Sequence, residues 1–133
     1  MTSTTIEAFM TASPHTIGRD QPLTAAKEAM ARHGVRHLPV LDGGQLVGIV
    51  SERDVAFIGS VRDAEASELT VGEAMSPEVY TVSPTELLRN AAANMARYRY
   101  GSAIVVDGNR VVGVFTTVDA LRALQAVLDA ASA

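Results

Sequence analysis

Apolar residues in this chain alternate between a helical and an extended spacing, and the whole cycle occurs twice. Leu23, Ala26 and Met30 fall at the three-and-four spacing of a helix with one buried face, as do Leu88, Ala91, Ala92 and Met95. Each set is followed by a continuous apolar run, Leu38 to Leu41 or Ala103 to Val106. An Asp-Gly pair comes next, Asp42-Gly43 or Asp107-Gly108, and then a second apolar run, Leu46 to Val50 or Val111 to Phe115. Asp-Gly between two such runs predicts a hairpin, because a tight turn between twisted strands needs positive φ. Runs apolar nearly throughout predict a sheet covered by helices. Short extended pieces precede the helices (His15 to Ile17; Tyr80 to Val82), and a second helix is expected just after Ser51 or Thr116. Asp20 and Thr85 are placed to cap the first helix of each cycle, with Ser83-x-x-Glu86 an alternative capping box.

The two cycles superpose without a gap when the chain is shifted by 65 positions. Met10 falls on Met75, Met30-Ala31-Arg32 on Met95-Ala96-Arg97, Asp42-Gly43 on Asp107-Gly108, and Asp54 on Asp119. This predicts an α+β fold of two β-α-β-β-α repeats, residues 1–58 and 71–133, joined by a polar linker at 59–70 that has room for some helix. A cleft between two such copies is the first place to expect a site. The last helix, Val118 to Ala131, is longer than its partner near Val55. Its stripe of Leu121, Leu124, Leu128 and Ala131 serves either to cap the core or to meet a partner chain.

Composition narrows the function more than the fold. The 133 residues are 47% hydrophobic, enough for a core, and no apolar run approaches the length that spans a membrane. Without a cysteine there is no disulfide, thiolate metal site or cysteine nucleophile. The amino terminus does not read as an export signal, so a cytoplasmic protein is expected. A net charge of −4 and few aromatic residues argue against nucleic-acid binding. Basic charge is almost all arginine, with Lys27 the sole lysine.

The chain resembles the cystathionine-β-synthase (CBS) domain family. The residues that carry the resemblance are Phe9-Met10 and Ala74-Met75 at the repeat starts, HLPVLDGGQLVGIVSERDV in the first copy and SAIVVDGNRVVGVFTTVDAL in the second. Ile104 stands where the commoner pattern has proline. The resemblance implies a tandem pair packed pseudo-symmetrically through its sheets, often dimerised into a disc. It also implies an adenosine-containing ligand between the repeats: AMP, ADP or ATP, with S-adenosylmethionine or NAD as further members of the class. Sensing that ligand on behalf of a separate protein partner is the implied role, with a homodimer as the expected assembly.

Within that resemblance, Ser51-Glu52-Arg53-Asp54 and Thr116-Thr117-Val118-Asp119 are the candidate sites. A carboxylate there can accept from both ribose hydroxyls while helix-start amides favour phosphate. The family's ribose role passes to Asp54 and Asp119, with Ser51 and Thr116 adding hydroxyl contacts. Ser/Thr-x-x-Asp is equally a helix N-cap, and the tetrapeptide alone favours that reading; its repetition within the family pattern favours a ligand. Arg36, His37 and Arg53 make the first site the more basic, against Gly101, Ser102 and Val118 in the second. Arg97 and Arg99 are expected on solvated faces. By family geometry Asp54 would work with Tyr80 and Val82, and Asp119 with His15 and Ile17.

Two rivals remain. The histidines and aspartates form no nucleophile–base set, and the break at Gly34 separates His33 from His37 as metal ligands, so neither catalysis nor a metal site is expected. A ligand-free dimerisation or protein-interaction module is the stronger alternative.

Overall fold

The periodicities place the elements where the chain forms them. A computed structural model describes residues 4–61, 65 and 68–132. After a short 3-10 turn at Ile6–Ala8 come β1 (Thr11–Ala12), β2 (Ile17–Gly18), α1 (Leu23–His33), β3 (His37–Asp42), β4 (Gln45–Ser51) and α2 (Glu52–Val61). There follow α3 (Val71–Ala74), β5 (Thr81–Val82), α4 (Leu88–Tyr98), β6 (Ser102–Asp107), β7 (Arg110–Thr116) and α5 (Thr117–Ser132). The fold is α+β, with both hairpins antiparallel and each short leading strand parallel to its hairpin. In the first turn Gly43 and Gly44 both take positive φ, 59° and 83°, whereas in the second only Gly108 does, at 64°. These are the dihedral patterns of type I′ and type II′ hairpin turns. The hairpins share an irregularity at the same step, Val40/Leu41 and Val105/Val106.

The chain does not divide into compact units in sequence order. One unit is His15–Val79; the other joins the segment ending at Pro14 to the chain from Tyr80 onward. The opening segment of each repeat therefore docks on the hairpin of the other. Thr11 and Ala12 pair with Val114 and Gly113, giving a sheet of order β1-β7-β6-β5. Ser76 bridges Ile49 in the matching place beside the β2-β3-β4 sheet. The pairing is repeated bond for bond: Val71 N donates to Gln21 O and Ile6 N to Glu86 O, at 2.9 and 2.8 Å. Glycine permits this approach. A Cβ on Gly48 would lie 2.6 Å from Met75 Sδ and 2.7 Å from the Ser76 carbonyl, and one on Gly113 would collide with Met10.

This docking also explains why the expected caps are not used. Pro22 and Leu87, in extended conformation, are the N-caps of α1 and α4, and neither Asp20 nor Thr85 caps. The first amides, of Leu23 and Leu88, donate instead to the carbonyls of Leu69 and Thr4, each at 2.8 Å. A neighbouring backbone has taken the place of a side chain. Ser83 and Glu86 form a backbone turn ahead of α4 rather than a capping box on it.

Each unit has its own core. Leu23, Ala26 and Met30 of α1 pack with Leu38, Val40, Val50, Val55, Leu69 and Val71 in one. In the other, Ala91 and Met95 of α4 pack with Ile6, Val82, Ala103, Val105 and Phe115. Ala92, expected in the buried stripe, is exposed. The stretch read as a linker lies partly outside the described residues, at 62–64, 66 and 67. Its start, Gly59 to Val61, completes α2, while Leu69 near its end is core and Thr70 caps α3 in a capping box with Glu73. The stripe of α5 does not cap the core: Leu121, Leu124 and Leu128 are 64%, 52% and 56% exposed, and the helix buries Asp119 and Ala123 instead.

Candidate functional site

Both candidate tetrapeptides lie where a hairpin strand runs straight into a helix, β4 into α2 and β7 into α5. A backbone bond fixes each junction: Glu52 N donates to Arg36 O at 2.9 Å, and Thr117 N to Gly101 O at 3.3 Å. The following turn is locked by a reciprocal cap. Ser51 N donates to Asp54 Oδ2 at 2.9 Å, and Asp54 N donates back to Ser51 Oγ at 3.0 Å. Thr116 and Asp119 repeat the exchange at 2.9 and 3.3 Å, and the Thr116 hydroxyl also donates to Asp119 Oδ2. The helix-cap role of Ser/Thr-x-x-Asp is therefore real in both copies. It occupies one carboxylate oxygen and leaves the question of the other.

The other oxygen differs between the copies. Asp54 is half-buried, and its Oδ1 has no hydrogen-bond or ion-pair partner among the described residues. Asp119 is only 4% exposed, and its Oδ1 lies 3.5 Å from the Thr11 hydroxyl and 3.6 Å from an Arg122 guanidinium nitrogen. Neither Thr11 nor Arg122 figures in the sequence reading. Arg122 was visible as an i+3 neighbour of Asp119, but Thr11, 108 positions away, had no sequence signal.

Asp54, Arg36 and Arg53 all lie within electrostatic reach of His37. His37 faces Ser51 across the hairpin register. Burial lowers the His37 pKa below its ordinary 6.5; Asp54 opposes that shift and Arg36 and Arg53 reinforce it. The matching pair in the other unit is Ser102 and Thr116, neither of which is titratable. Ile17 and Val82 spend their side chains on the two cores. His15 stacks on His33, with ring centroids 3.4 Å apart, so each repeat places an aromatic ring at this position. Tyr80 stacks on Tyr100 at 4.9 Å and its hydroxyl accepts from Asn94 at 3.2 Å. Tyr98 extends that stack, with Arg97 over its ring, and Arg99 holds the left-handed position ending α4. Tyr80 and Val82 belong to the unit containing Asp119, and His15 and Ile17 to the unit containing Asp54.

A groove of about 490 Å³ between α1 and α2 is lined by Lys27, Met30, Ala31, Glu52, Val55, Ala56 and Gly59, and so by none of the capping residues. Among the described residues no helix is long and apolar enough to cross a membrane.

Comparison with known proteins agrees with this geometry. The CBS domain pair of protein MJ0100, solved with 5′-methylthioadenosine and S-adenosyl-L-methionine, has a TM-score of 0.83 at 28% identity, covering 92% of this chain and 97% of that one. CBSX2, solved in complex with AMP, has a TM-score of 0.80 at 25% identity, with 92% and 97% covered. A homoserine O-acetyltransferase of Methanocorpusculum labreanum is 34% identical over 121 residues, which is 88% of this chain but only 23% of that enzyme. The CBS domain pattern itself matches twice, at residues 6–59 and 71–126. The chain belongs to the CBS domain family, as a tandem pair of the domain.

Proposed function

We propose that this CBS pair senses an adenosine-containing ligand, AMP, ADP or ATP before S-adenosylmethionine or NAD, and passes its occupancy to a separate protein partner. It acts in this reading as a cytoplasmic homodimer without catalysis of its own. The observation that carries the reading is the unpartnered Oδ1 of Asp54 at the start of α2. A carboxylate already oriented by its cap, with one oxygen free, is suited to accept from ribose hydroxyls. Arg36 and Arg53 supply cationic forks for phosphate, and the first amides of α2 add their dipole. The adenosine ligands of MJ0100 and CBSX2 support the ligand class. Tyr80 and Val82 with Asp54, and His15 and Ile17 with Asp119, remain the proposed base-flanking pairs.

A thermal-shift series with AMP, ADP, ATP, S-adenosylmethionine, NAD and guanine counterparts tests it. A ligand at 100 times its Kd adds about 2.7 kcal/mol, a rise of several degrees at this chain length. Asp54→Ala should diminish the rise while the variant still melts cooperatively, and Asp119→Ala should reduce it less. An undiminished rise in Asp54→Ala would sink the ribose role.

The second reading is a ligand-free interaction module, favoured by the exposed apolar face of α5, Val118, Leu121, Leu124 and Leu128. No shift with any nucleotide on a folded sample selects it.

A further inference from the structure

We propose that Arg122 and Thr11 latch Asp119, so that the two repeats offer one open and one gated nucleoside site. This rests on the ribose reading of the two aspartates. The cap takes Oδ2 of each, leaving Oδ1 as the oxygen still able to receive a hydroxyl. At Asp119 that oxygen faces two donors already, the Thr11 hydroxyl at 3.5 Å and Arg122 at 3.6 Å. At Asp54 the equivalent positions are Ser76, which makes no side-chain bond to it, and Phe57, which is 65% exposed and cannot donate. The difference is thus built from two substitutions between otherwise matching repeats.

The two halves of the latch differ in how they open. Arg122 is 71% exposed in its side chain and can swing into water with little loss. Thr11 is held by β1, a strand of two residues paired with β7. A ligand hydroxyl that takes over Asp119 Oδ1 removes the side-chain hydrogen bond that, among the described residues, ties this leading strand to the α5 junction. Occupancy of the gated site is thereby coupled to the docking of the amino-terminal segment.

AMP titrations separate the latch from the reading beneath it. Asp54→Ala should weaken AMP binding to the chain, leaving the gated site to be read alone. Adding Arg122→Ala to that variant should tighten the residual binding about two-fold, the size of a largely exposed ion pair. In the otherwise unaltered chain, Phe57→Arg installs the arginine beside Asp54 and should weaken AMP binding by a similar factor. Phe57 and Arg122 are exposed, so both variants should fold, as a melting curve verifies. Unchanged AMP affinity in Asp54→Ala overturns the ribose reading. Weakened affinity there, with a double variant that binds no tighter or a Phe57→Arg that binds as well or better, overturns the latch alone.

Discussion

Asp54 and Asp119 sit in matching tetrapeptides with the same reciprocal cap, yet the chain leaves them in different chemical states. One is half-buried with an oxygen to spare; the other is buried and engaged on both oxygens. The local motif determines only the cap, because every bond in the cap lies within four residues. Availability is decided by what arrives from elsewhere, a leading strand at one aspartate and a helix neighbour where the other has phenylalanine. Repeats that share a motif need not share a function.

The leading segments carry the largest effects by which this comparison can be strained. Gly48 and Gly113 are the seats on which Met75 and Met10 dock, but they are not equally tight. At Gly48 a Cβ meets the Ser76 backbone carbonyl at 2.7 Å, whereas at Gly113 the nearest backbone atom, Thr11 O, is 3.1 Å away. A methionine side chain can move aside; a paired backbone carbonyl cannot without breaking its bridge. Gly48→Ala should therefore cost about 3 kcal/mol and Gly113→Ala about 1, within the usual range for overpacking. Thermal melting of the two variants measures the order, and a larger loss at Gly113 would contradict this account of the seats.

Smaller effects, opposite in sign to each other, are expected at the ends of α1 and α4. Both helices end on a left-handed residue, Gly34 at φ 64° and Arg99 at φ 59°. Glycine adopts that conformation without steric cost, and a side chain does not. Arg99→Gly should raise stability by about 1 kcal/mol, a few degrees in Tm, and Gly34→Ala should lower it by a similar amount. Failure of Arg99→Gly to gain would mean that the arginine side chain repays its backbone strain by a contact of its own.

Much of this was legible in the sequence because it is local. The hairpins followed from Asp42-Gly43 and Asp107-Gly108, and the strand-to-helix junctions from the motifs themselves. The charged neighbours of His37, namely Arg36, Arg53 and Asp54, lie within 17 positions of it. What escaped was set by distant backbone. Asp20 and Thr85 looked like caps because nothing in their neighbourhood announces that Leu69 and Thr4 will present carbonyls to α1 and α4. Leu69 read as linker because its burial depends on α1. Thr11 could not be joined to Asp119 without knowing that each opening segment crosses to the other hairpin.

The smallest effect expected is also the most selective between the two units. All three histidines, His15, His33 and His37, belong to the unit that holds Asp54, and the other unit has none. Burial holds the His37 pKa below 6.5, even against the attraction of Asp54, so the folded chain binds fewer protons there than the unfolded one. The stability this contributes is fully present above the unfolded value, about 6.5, and is lost as pH falls through the lower folded value. His33 is shifted in the same direction by desolvation, His15 and Arg32. The urea midpoint should accordingly decline as pH is lowered from about 7 toward 5.5, before most carboxylates begin to protonate. His37→Gln should flatten that decline. Hydrogen exchange, corrected for its intrinsic pH dependence, should show protection falling in β3 and β4 while β6 and β7, with Ser102 in the matching place, hold theirs. Equal loss in both hairpins would mean that acid acts on the chain as a whole, and that the basic, titratable junction around Asp54 is not where its pH response resides.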